Sequence, residues 1–144
     1  MIYIGADHRG YNLKEKIKNW LSERGFDYED VGAFGLNEND DFTDFAKKVA
    51  EKIGDSDKGI VICGSGVGVD EVANKFKGVR SGLAINEEQI RVARNDDNIN
   101  VLALAADYTS EEDAKKIVSV FLETEFSGEE KHARRIKEID KLEN

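Results

Sequence analysis

A single cysteine stands directly before a glycine-rich loop, and this pairing is the strongest chemical signal in the sequence. Cys63 ends the apolar run 59–63 and is followed by Gly64-Ser65-Gly66-Val67-Gly68. Backbone N–H groups at the start of a helix favour a thiolate, which acts as a nucleophile or as a general base. Base chemistry beside these donors suits proton abstraction next to a carbonyl, because the donors also stabilise an enediolate oxygen. The structural alternative is a small buried hydrophobic residue.

The spacing of the glycines argues against two common nucleotide-binding loops. The third glycine of the dinucleotide-binding fingerprint would fall at Val69. A P-loop requires a Gly-Lys-Ser/Thr triplet, and none follows this loop. Two alternatives to a catalytic loop stay open. One is a glycine turn that only lets a helix pack closely, and the other is a generic nucleotide-binding module.

Two further polar clusters are candidates for ligand binding. Asp7 and His8 follow the apolar run 2–6 and offer a carboxylate and an imidazole to a polar ligand. A solvated turn that caps a helix is the structural alternative for this pair. A basic cluster near the C-terminus stands out in an acidic chain and suits phosphate, unless it is only a solvated helix face. Its members are Lys131, His132, Arg134 and Arg135.

The composition excludes several classes of protein. The 144 residues are 40% hydrophobic and 35% charged, which predicts a single globular domain, 1–144. The net charge of −9 argues against a nucleic-acid or anionic-membrane partner. One cysteine and two histidines argue against a metal cage. With no secretory signal at the start and a lone thiol, the expected location is the cytoplasm.

Alternating strand-like and helical segments position these candidate residues. Strands are predicted at 2–6, 27–31, 59–63, 79–85 and 100–105, and the helices between them have predicted N-caps at Asn86 and Ser110. This order predicts a Rossmann-like three-layer α/β sandwich, a five-stranded parallel sheet with helices on both faces. An additional C-terminal amphipathic helix, 128–144, packs its apolar stripe on its own domain or on a second subunit.

Ligands of such sheets bind beyond the carboxyl ends of the strands. The residues that follow the predicted strands are therefore expected along one edge of the sheet. They are Asp7, His8, the loop 63–68, the residues around Asn86, and Asp107.

Taken together, these segments resemble one family, ribose-5-phosphate isomerase B with its galactose-6-phosphate isomerase relatives. The likeness runs through GADHRGYNLK, DFTDFAKKVAE, GIVICGSGVGVDEVANKFKGVR, ARNDDNINVLALA and EEKHARRI. The cysteine, its glycine loop and the Ala73-Asn74-Lys75 that follows are the most specific part. The resemblance implies a cofactor-free aldose–ketose isomerase that acts on a sugar phosphate. It also implies a homodimer, or a dimer of dimers, whose active sites are shared between two subunits.

The resemblance further implies a role for each matching residue. Cys63 is the base that moves a proton between C1 and C2, and Ser65 places a hydroxyl near the reacting oxygens. The loop holds the enediolate through the N–H groups of Gly64, Gly66, Val67 and Gly68. The residues that contact substrate hydroxyls and phosphate are Asp7, His8, Lys131 and Arg135. Arg135 is expected from the neighbouring subunit, and which subunit supplies Lys131 stays open.

Five positions depart from the family pattern. Asp96 stands where the family has a histidine credited with opening the sugar ring, and Asp97 stands where an asparagine follows it. Lys131 replaces an arginine, Asp107 stands where an arginine often follows the fifth strand, and Phe42 replaces a tyrosine. Asp96 is kept as a candidate catalytic group and Asp97 as a substrate-binding one. Ribose 5-phosphate is the default substrate, and a shifted sugar or a non-catalytic sugar-phosphate-binding paralogue stay open as alternatives.

Overall fold

The computed structural model describes residues 1–143, and strands and helices alternate along them. The strands are β1 (Ile2–Ala6), β2 (Tyr28–Asp30), β3 (Lys58–Cys63), β4 (Ser81–Leu83) and β5 (Val101–Ala105). The helices are α1 (Tyr11–Glu23), α2 (Phe42–Ala50), α3 (Val67–Ala73), α4 (Glu87–Asp97), α5 (Glu111–Glu123) and α6 (Glu130–Asp140). The prediction of a Rossmann-like sandwich with an added C-terminal helix is confirmed.

All five strands are parallel and follow the order β2-β1-β3-β5-β4. The chain leaves β1 towards one side to form β2 and then crosses to the other side of β1 to form β3. In an open parallel sheet, this reversal leaves a crevice at the carboxyl ends of the two central strands. Here the crevice lies between the residues that follow Ala6 and those that follow Cys63.

Two hydrophobic clusters, one on each face of the sheet, reflect the alternation of side chains along the strands. Helices α1, α4 and α5 cover one face, where Ile4, Ile62 and Phe121 are fully buried. Helices α2 and α3 cover the other face, against Val61 and Cys63. Since the central strands are buried on both faces, their sequences are continuous apolar runs.

The helix ends follow the predicted capping chemistry. Asn86 Oδ1 accepts a hydrogen bond from Gln89 N (2.8 Å), and Ser110 Oγ accepts one from Asp113 N (3.1 Å). Helix α6 lies within the predicted segment 128–144, whose last residue, Asn144, is outside the described residues. Across residues 1–143, none of the helices has both the length and the apolar character that a membrane crossing requires.

Edge strand β4 is shorter than the predicted strand 79–85, so the predicted bounds are wrong at both ends. Before the strand, Arg80 N donates to the side chain of Asn100 (2.8 Å). After the strand, Ala84 N still donates to Ala103 O (3.0 Å), but the strand does not continue. An edge strand has one neighbour only, so local side-chain contacts replace the ladder easily at its ends.

A fully buried lysine fastens α1 to the loop that follows β2. Lys14 Nζ donates to both carboxylate oxygens of Asp30 (2.8 and 2.7 Å) and to Ala33 O (2.7 Å). Lys18 Nζ also donates to Asp30 (2.7 Å). Burial by itself raises the pKa of Asp30, but the hydrogen bonds from Lys14, Lys18 and Gly32 N outweigh it and lower this pKa below its ordinary value.

Candidate active site

The predicted site residues at the ends of β1 and β3 lie side by side at the carboxyl edge of the sheet. Ala6 is in register with Ile62, and the next residue, Asp7, donates its N–H to Ile62 O (3.3 Å). Asp7 and His8 therefore border the crevice on one side, and Cys63 borders it on the other. His132, the second histidine of the chain, lies on α6 at the other end of the molecule.

Cys63 combines both interpretations that the sequence left open. The residue is only 4% exposed and belongs to the buried cluster that also contains Val69 and Ala73 of α3. Yet it is also the last residue of β3, and its carbonyl accepts a hydrogen bond from Ala106 N (2.9 Å) beyond the end of β5. The thiol is thus packed like a core residue and placed at the edge where ligands of this fold bind.

Two glycines let the loop 64–68 pass close to its neighbours. Gly66 has φ +74°, and a Cβ there would lie 2.5 Å from Leu83 Cδ1 and 3.0 Å from Ala105 N. A Cβ on Gly68 would lie 2.7 Å from the ring of Phe42. A side chain at either position would displace the loop, so the loop conformation depends on both glycines.

The same loop presents backbone donors at the start of α3. The first backbone hydrogen bond of this turn runs from Asp70 N to Gly66 O (3.3 Å), so the N–H groups before Asp70 precede the helical ladder. Val67 N donates to Ser65 Oγ (3.2 Å), which fixes the hydroxyl beside the loop backbone. Burial raises the pKa of Asp70, Glu71 raises it further, and the hydroxyl of Ser81 opposes the shift.

Arg9 and Asp107 form an ion pair above Gly64, and sequence reasoning did not predict it. A Cβ on Gly64 would lie 2.5 Å from Arg9 Nε and 2.8 Å from Asp107 Oδ2, so the pair rests directly on the loop. Both residues stand in turns after strands, and that position marks them as edge residues. Their pairing joins positions 98 residues apart, which no local spacing encodes.

Asp40 is the other residue at this edge that sequence reasoning missed. Its Oδ1 accepts a hydrogen bond from His8 N (3.0 Å) and lies 2.7 Å from His8 Nδ1.

Asp7 Oδ1 accepts from Arg9 N and Gly10 N, both at 3.0 Å, at the start of α1. One ligand atom from each of Asp7, His8 and Asp40 lies within 4.8 Å of the others, a donor set that suits a divalent cation. The expectation of no metal stays a prediction.

Asp96 and Asp97 lie at the opposite edge of the sheet from Cys63. Helix α4 starts near the carboxyl edge and runs back for eleven residues, about 16 Å, to the amino end of β5. Asp96 Oδ1 accepts a hydrogen bond from Asn95 Nδ2 (2.8 Å) and lies 3.8 Å from His132 Nε2. The polar neighbours of Asp96 are therefore Asn95 and the imidazole of α6.

The basic cluster lies at this same opposite edge, because α6 packs against α4. His132 is buried, and its Nδ1 lies 2.8 Å from Ser127 Oγ. Lys131 is exposed, and its one ion-pair partner among the described residues is Glu129, at 4.0 Å. Arg135 is also exposed and has no ion-pair partner within residues 1–143, whereas Arg134 lies between Glu130 and Glu138. One chain therefore does not bring the basic cluster to Cys63.

The Ribose/Galactose Isomerase family model matches residues 2–139 of this chain. The chain belongs to the ribose/galactose isomerase family.

Members of this family match nearly the whole chain. The chain is 42% identical to the probable ribose-5-phosphate isomerase B of Mycoplasma genitalium, over 99% of this chain and 95% of the relative. A crystal structure of the M. genitalium enzyme with bound ribulose-5-phosphate superposes with a TM-score of 0.95, covering 98% of this chain and 94% of that one. The ribose-5-phosphate isomerase B of Escherichia coli is 35% identical, over 99% and 95% of the two chains. The galactose-6-phosphate isomerase subunit LacB of Clostridium acetobutylicum is 34% identical, over 99% and 83%.

The resemblance seen in the sequence, and the aldose–ketose isomerase it implies, are thereby confirmed. The departures from the ribose/galactose isomerase pattern fall into two groups in space. Phe42 and Asp107 touch the loop 64–68 at Gly68 and Gly64, on the carboxyl edge of the sheet, while Asp96, Asp97 and Lys131 lie at the opposite edge. The family pattern often has an arginine after β5. This chain has Asp107 at that position, and Asp107 holds the guanidinium of Arg9 at the same edge.

Proposed function

We propose that this isomerase interconverts ribose 5-phosphate and ribulose 5-phosphate through an enediolate, with Cys63 as the base. The observation that carries the proposal is the position of Cys63 at the end of β3. There it adjoins the donor-rich loop 64–68 and faces Asp7 and His8 across the crevice. A nucleotide-binding module would not require a nearly buried thiol at this point.

The chemistry assigned to these residues is a proton transfer without a redox partner. The thiolate of Cys63 takes the proton from C2 of the open-chain aldose, the bonding pair forms the C1–C2 double bond, and charge moves to O1. Loop N–H groups and the hydroxyl of Ser65 stabilise the enediolate oxygens. A proton then moves from O2 to O1, and the thiol returns its proton to C1 as the ketone forms. Asp7 and His8 hold hydroxyls and phosphate during these steps.

A second copy of the chain completes this proposed site. Phosphate carries up to two negative charges, while the crevice of one chain holds Asp7, Asp40 and Asp107 beside Arg9 and His8. The negative charge of the phosphate is balanced if a partner chain brings the basic cluster of its own α6 over the crevice. The unpaired Arg135, with Lys131 and the carboxylates Asp96 and Asp97, then faces Cys63 of the other subunit, and segment 128–144 forms part of the dimer contact.

A shifted sugar is the second candidate, and the composition of the opposite edge favours it. Lys131 offers phosphate a point charge instead of an arginine fork, and Asp96 offers a carboxylate instead of an imidazole. The proton-transfer half of the site is unaffected by these changes. We also place the enzyme in the cytoplasm, because its lone thiol acts only in the reduced state. We further propose that the chain is a single domain and works without a cofactor.

The test is aldose–ketose conversion on a panel of sugars. Ribose 5-phosphate, ribulose 5-phosphate and free or phosphorylated pentoses and hexoses are supplied to wild type, Cys63→Ala and Cys63→Ser. Loss of the base is expected to lower kcat about 10²–10⁴-fold with little change in KM. Conversion of none of the sugars by wild type would reject the isomerase. Equal rates for Cys63→Ala and wild type would reject the base, and preference for another sugar would select the second candidate.

A further inference from the structure

Asp40 and His8 form a closely coupled pair within the crevice, although Asp40 belongs to a different part of the chain. Asp40 stands 32 residues after His8 and directly before Asp41, the N-cap of α2. A local turn, in which Asp40 N donates to Asn37 O (3.1 Å) and Asn39 N donates to Asn37 Oδ1 (3.0 Å), sets its position. The aspartate side chain is 9% exposed and that of His8 is 26% exposed.

The hydrogen bonds determine which nitrogen of the His8 ring carries a proton. Asp40 Oδ1 accepts the backbone N–H of His8 at 3.0 Å, so this oxygen acts as an acceptor. The same oxygen lies 2.7 Å from His8 Nδ1. An ionised carboxylate only accepts, so the short contact requires the proton on Nδ1. The neutral imidazole then has its free electron pair on Nε2.

The second oxygen of Asp40 sets this pair apart from an ordinary surface contact. Asp40 Oδ2 is buried and has no hydrogen-bond partner within residues 1–143. Burying an unsatisfied carboxylate oxygen costs stability, and a position without another role is expected to carry a less costly residue. This oxygen lies in the cluster that Asp40 forms with Asp7 and His8, at the edge that holds Cys63, so the cost in stability falls at the candidate site, where such costs are typically found.

We infer that Asp40 is a positioning residue that holds His8 in the Nδ1–H tautomer and directs Nε2 at the substrate. Asp40 itself does not touch the substrate in this arrangement, because both of its oxygens are buried or bonded to His8. The catalytic consequence of the pair rests on the proposed function. The tautomer does not depend on it and can be measured without any substrate.

The test uses ¹⁵N-histidine NMR on the free protein. The chain has two histidines, and His132→Gln assigns the signals. In wild type, neutral His8 is expected to show a protonated Nδ1 and an unprotonated Nε2. Asp40→Ala is expected to convert it to the Nε2–H form that free histidine prefers. Asp40→Asn, whose carbonyl can still accept from Nδ1, is expected to preserve the Nδ1–H form and separates the hydrogen bond from the charge.

Activity then shows whether the tautomer matters. Asp40→Ala is expected to lower kcat/KM by about tenfold or more on the sugar that wild type converts best, with partial recovery in Asp40→Asn. Glu38→Gln removes an exposed charge from the same loop and is the matched control, with no change expected in tautomer or rate.

Three results would overturn the inference. The first is an Nε2–H tautomer in wild type, and the second is an unchanged tautomer in a folded Asp40→Ala. The third is a changed tautomer with an unchanged kcat/KM. If wild type converts no sugar, the proposed function fails and the two NMR results still decide the assignment of Asp40.

Discussion

At the residue scale, Arg9 and Asp107 together place a guanidinium at the carboxyl edge of the sheet. Asp107 occupies the position where the family pattern often has an arginine, and it uses its carboxylate to hold Arg9 above Gly64. The guanidinium of Arg9 therefore stands over the loop, although it comes from the turn after β1. The two positions are expected to be coupled in function, because the charge of the side chain at one position determines which charge is tolerated at the other.

Restoring the family's arginine alone should therefore harm the enzyme. Asp107→Arg places two guanidinium groups above Gly64, and their repulsion is expected to lower kcat/KM about tenfold. The double variant Arg9→Ala/Asp107→Arg again has one guanidinium and is expected to recover most of the loss. Steady-state kinetics on ribose 5-phosphate measures both. Losses that simply add in the double variant would mean that the two positions act independently.

The stability of these variants provides the control. Arg9 and Asp107 are exposed enough that the pair contributes about 1 kcal/mol or less to the free energy of unfolding. Arg24 and Glu123 form a comparable exposed pair at 2.9 Å between α1 and α5, remote from the crevice. Arg24→Ala is expected to change stability as little as Arg9→Ala does and to leave kcat/KM unchanged.

The residues that sequence analysis located, and those it missed, differ in how their positions are encoded. Cys63, Asp7 and His8 directly follow or end apolar runs, and strand ends fix the edge at which they appear. Asp40 acts through a contact 32 residues away, and its own segment is a polar loop without periodicity. Local pattern places a residue relative to its own strand or helix, while contacts between loops arise only when the sheet assembles.

At the element scale, the crevice depends on how α1 is fastened to the chain that follows β2. Lys14 is completely buried and satisfied by Asp30 and by Ala33 O, whereas Lys18 reaches the same carboxylate from a partly exposed position. The loop that leaves this anchor leads to Asp40. The anchor therefore links the stability of the fold to the geometry around His8.

Removal of Lys14 is expected to cost far more stability than removal of Lys18. Lys14→Met leaves the Asp30 carboxylate and Ala33 O without their buried donor and is expected to lower the free energy of unfolding by about 3 kcal/mol. Lys18→Met removes a partly exposed partner and should cost about 1 kcal/mol or less. Urea unfolding at one fixed protein concentration measures both. Equal losses would show that the buried amine has no special role.

Asp30 also gives this anchor a defined pH dependence. Its pKa is lower in the folded protein than in the unfolded chain, so the folded state binds fewer protons between the two values. The stabilisation is complete above the unfolded pKa of about 4 and is lost as the pH falls through the folded value. The difference in unfolding free energy between wild type and Asp30→Asn should therefore shrink on acidification. A constant difference would contradict this assignment.

Elements themselves were predictable where local chemistry specifies them. The apolar runs of the central strands and the caps at Asn86 and Ser110 are encoded within a few residues, and they appear where expected. Strand β4 is shorter than the predicted strand 79–85, although Ala84 N still donates to Ala103 O of β5. The length of an edge strand depends on the geometry of pairing with its single neighbour, and a local sequence pattern does not encode that geometry.

At the scale of the whole molecule, the proposed site is divided between two edges of one sheet. Cys63 lies at the carboxyl edge, and Arg135 lies on α6 at the opposite edge. The parallel strands and the return of α4 separate these two groups within a chain. In a dimer with two-fold symmetry, each site would combine the carboxyl edge of one subunit with the basic edge of the other.

This division predicts that two inactive variants restore each other. Cys63→Ala and Arg135→Ala are each expected to be impaired, but a hybrid dimer contains one site in which both residues are wild type. Random exchange in an equal mixture makes half of the dimers hybrids, so activity should rise to about a quarter of that of wild type. The mixture is unfolded and refolded together, then assayed against each variant refolded alone. A double variant, Cys63→Ala/Arg135→Ala, mixed with wild type is the control. Its hybrids have no site with both wild-type residues, so the mixture should keep only about a quarter of the wild-type activity, from the wild-type dimers, whereas sites built within one subunit would keep about half. Activity no greater than the average of the two single variants would contradict a site that combines Cys63 of one subunit with Arg135 of the other.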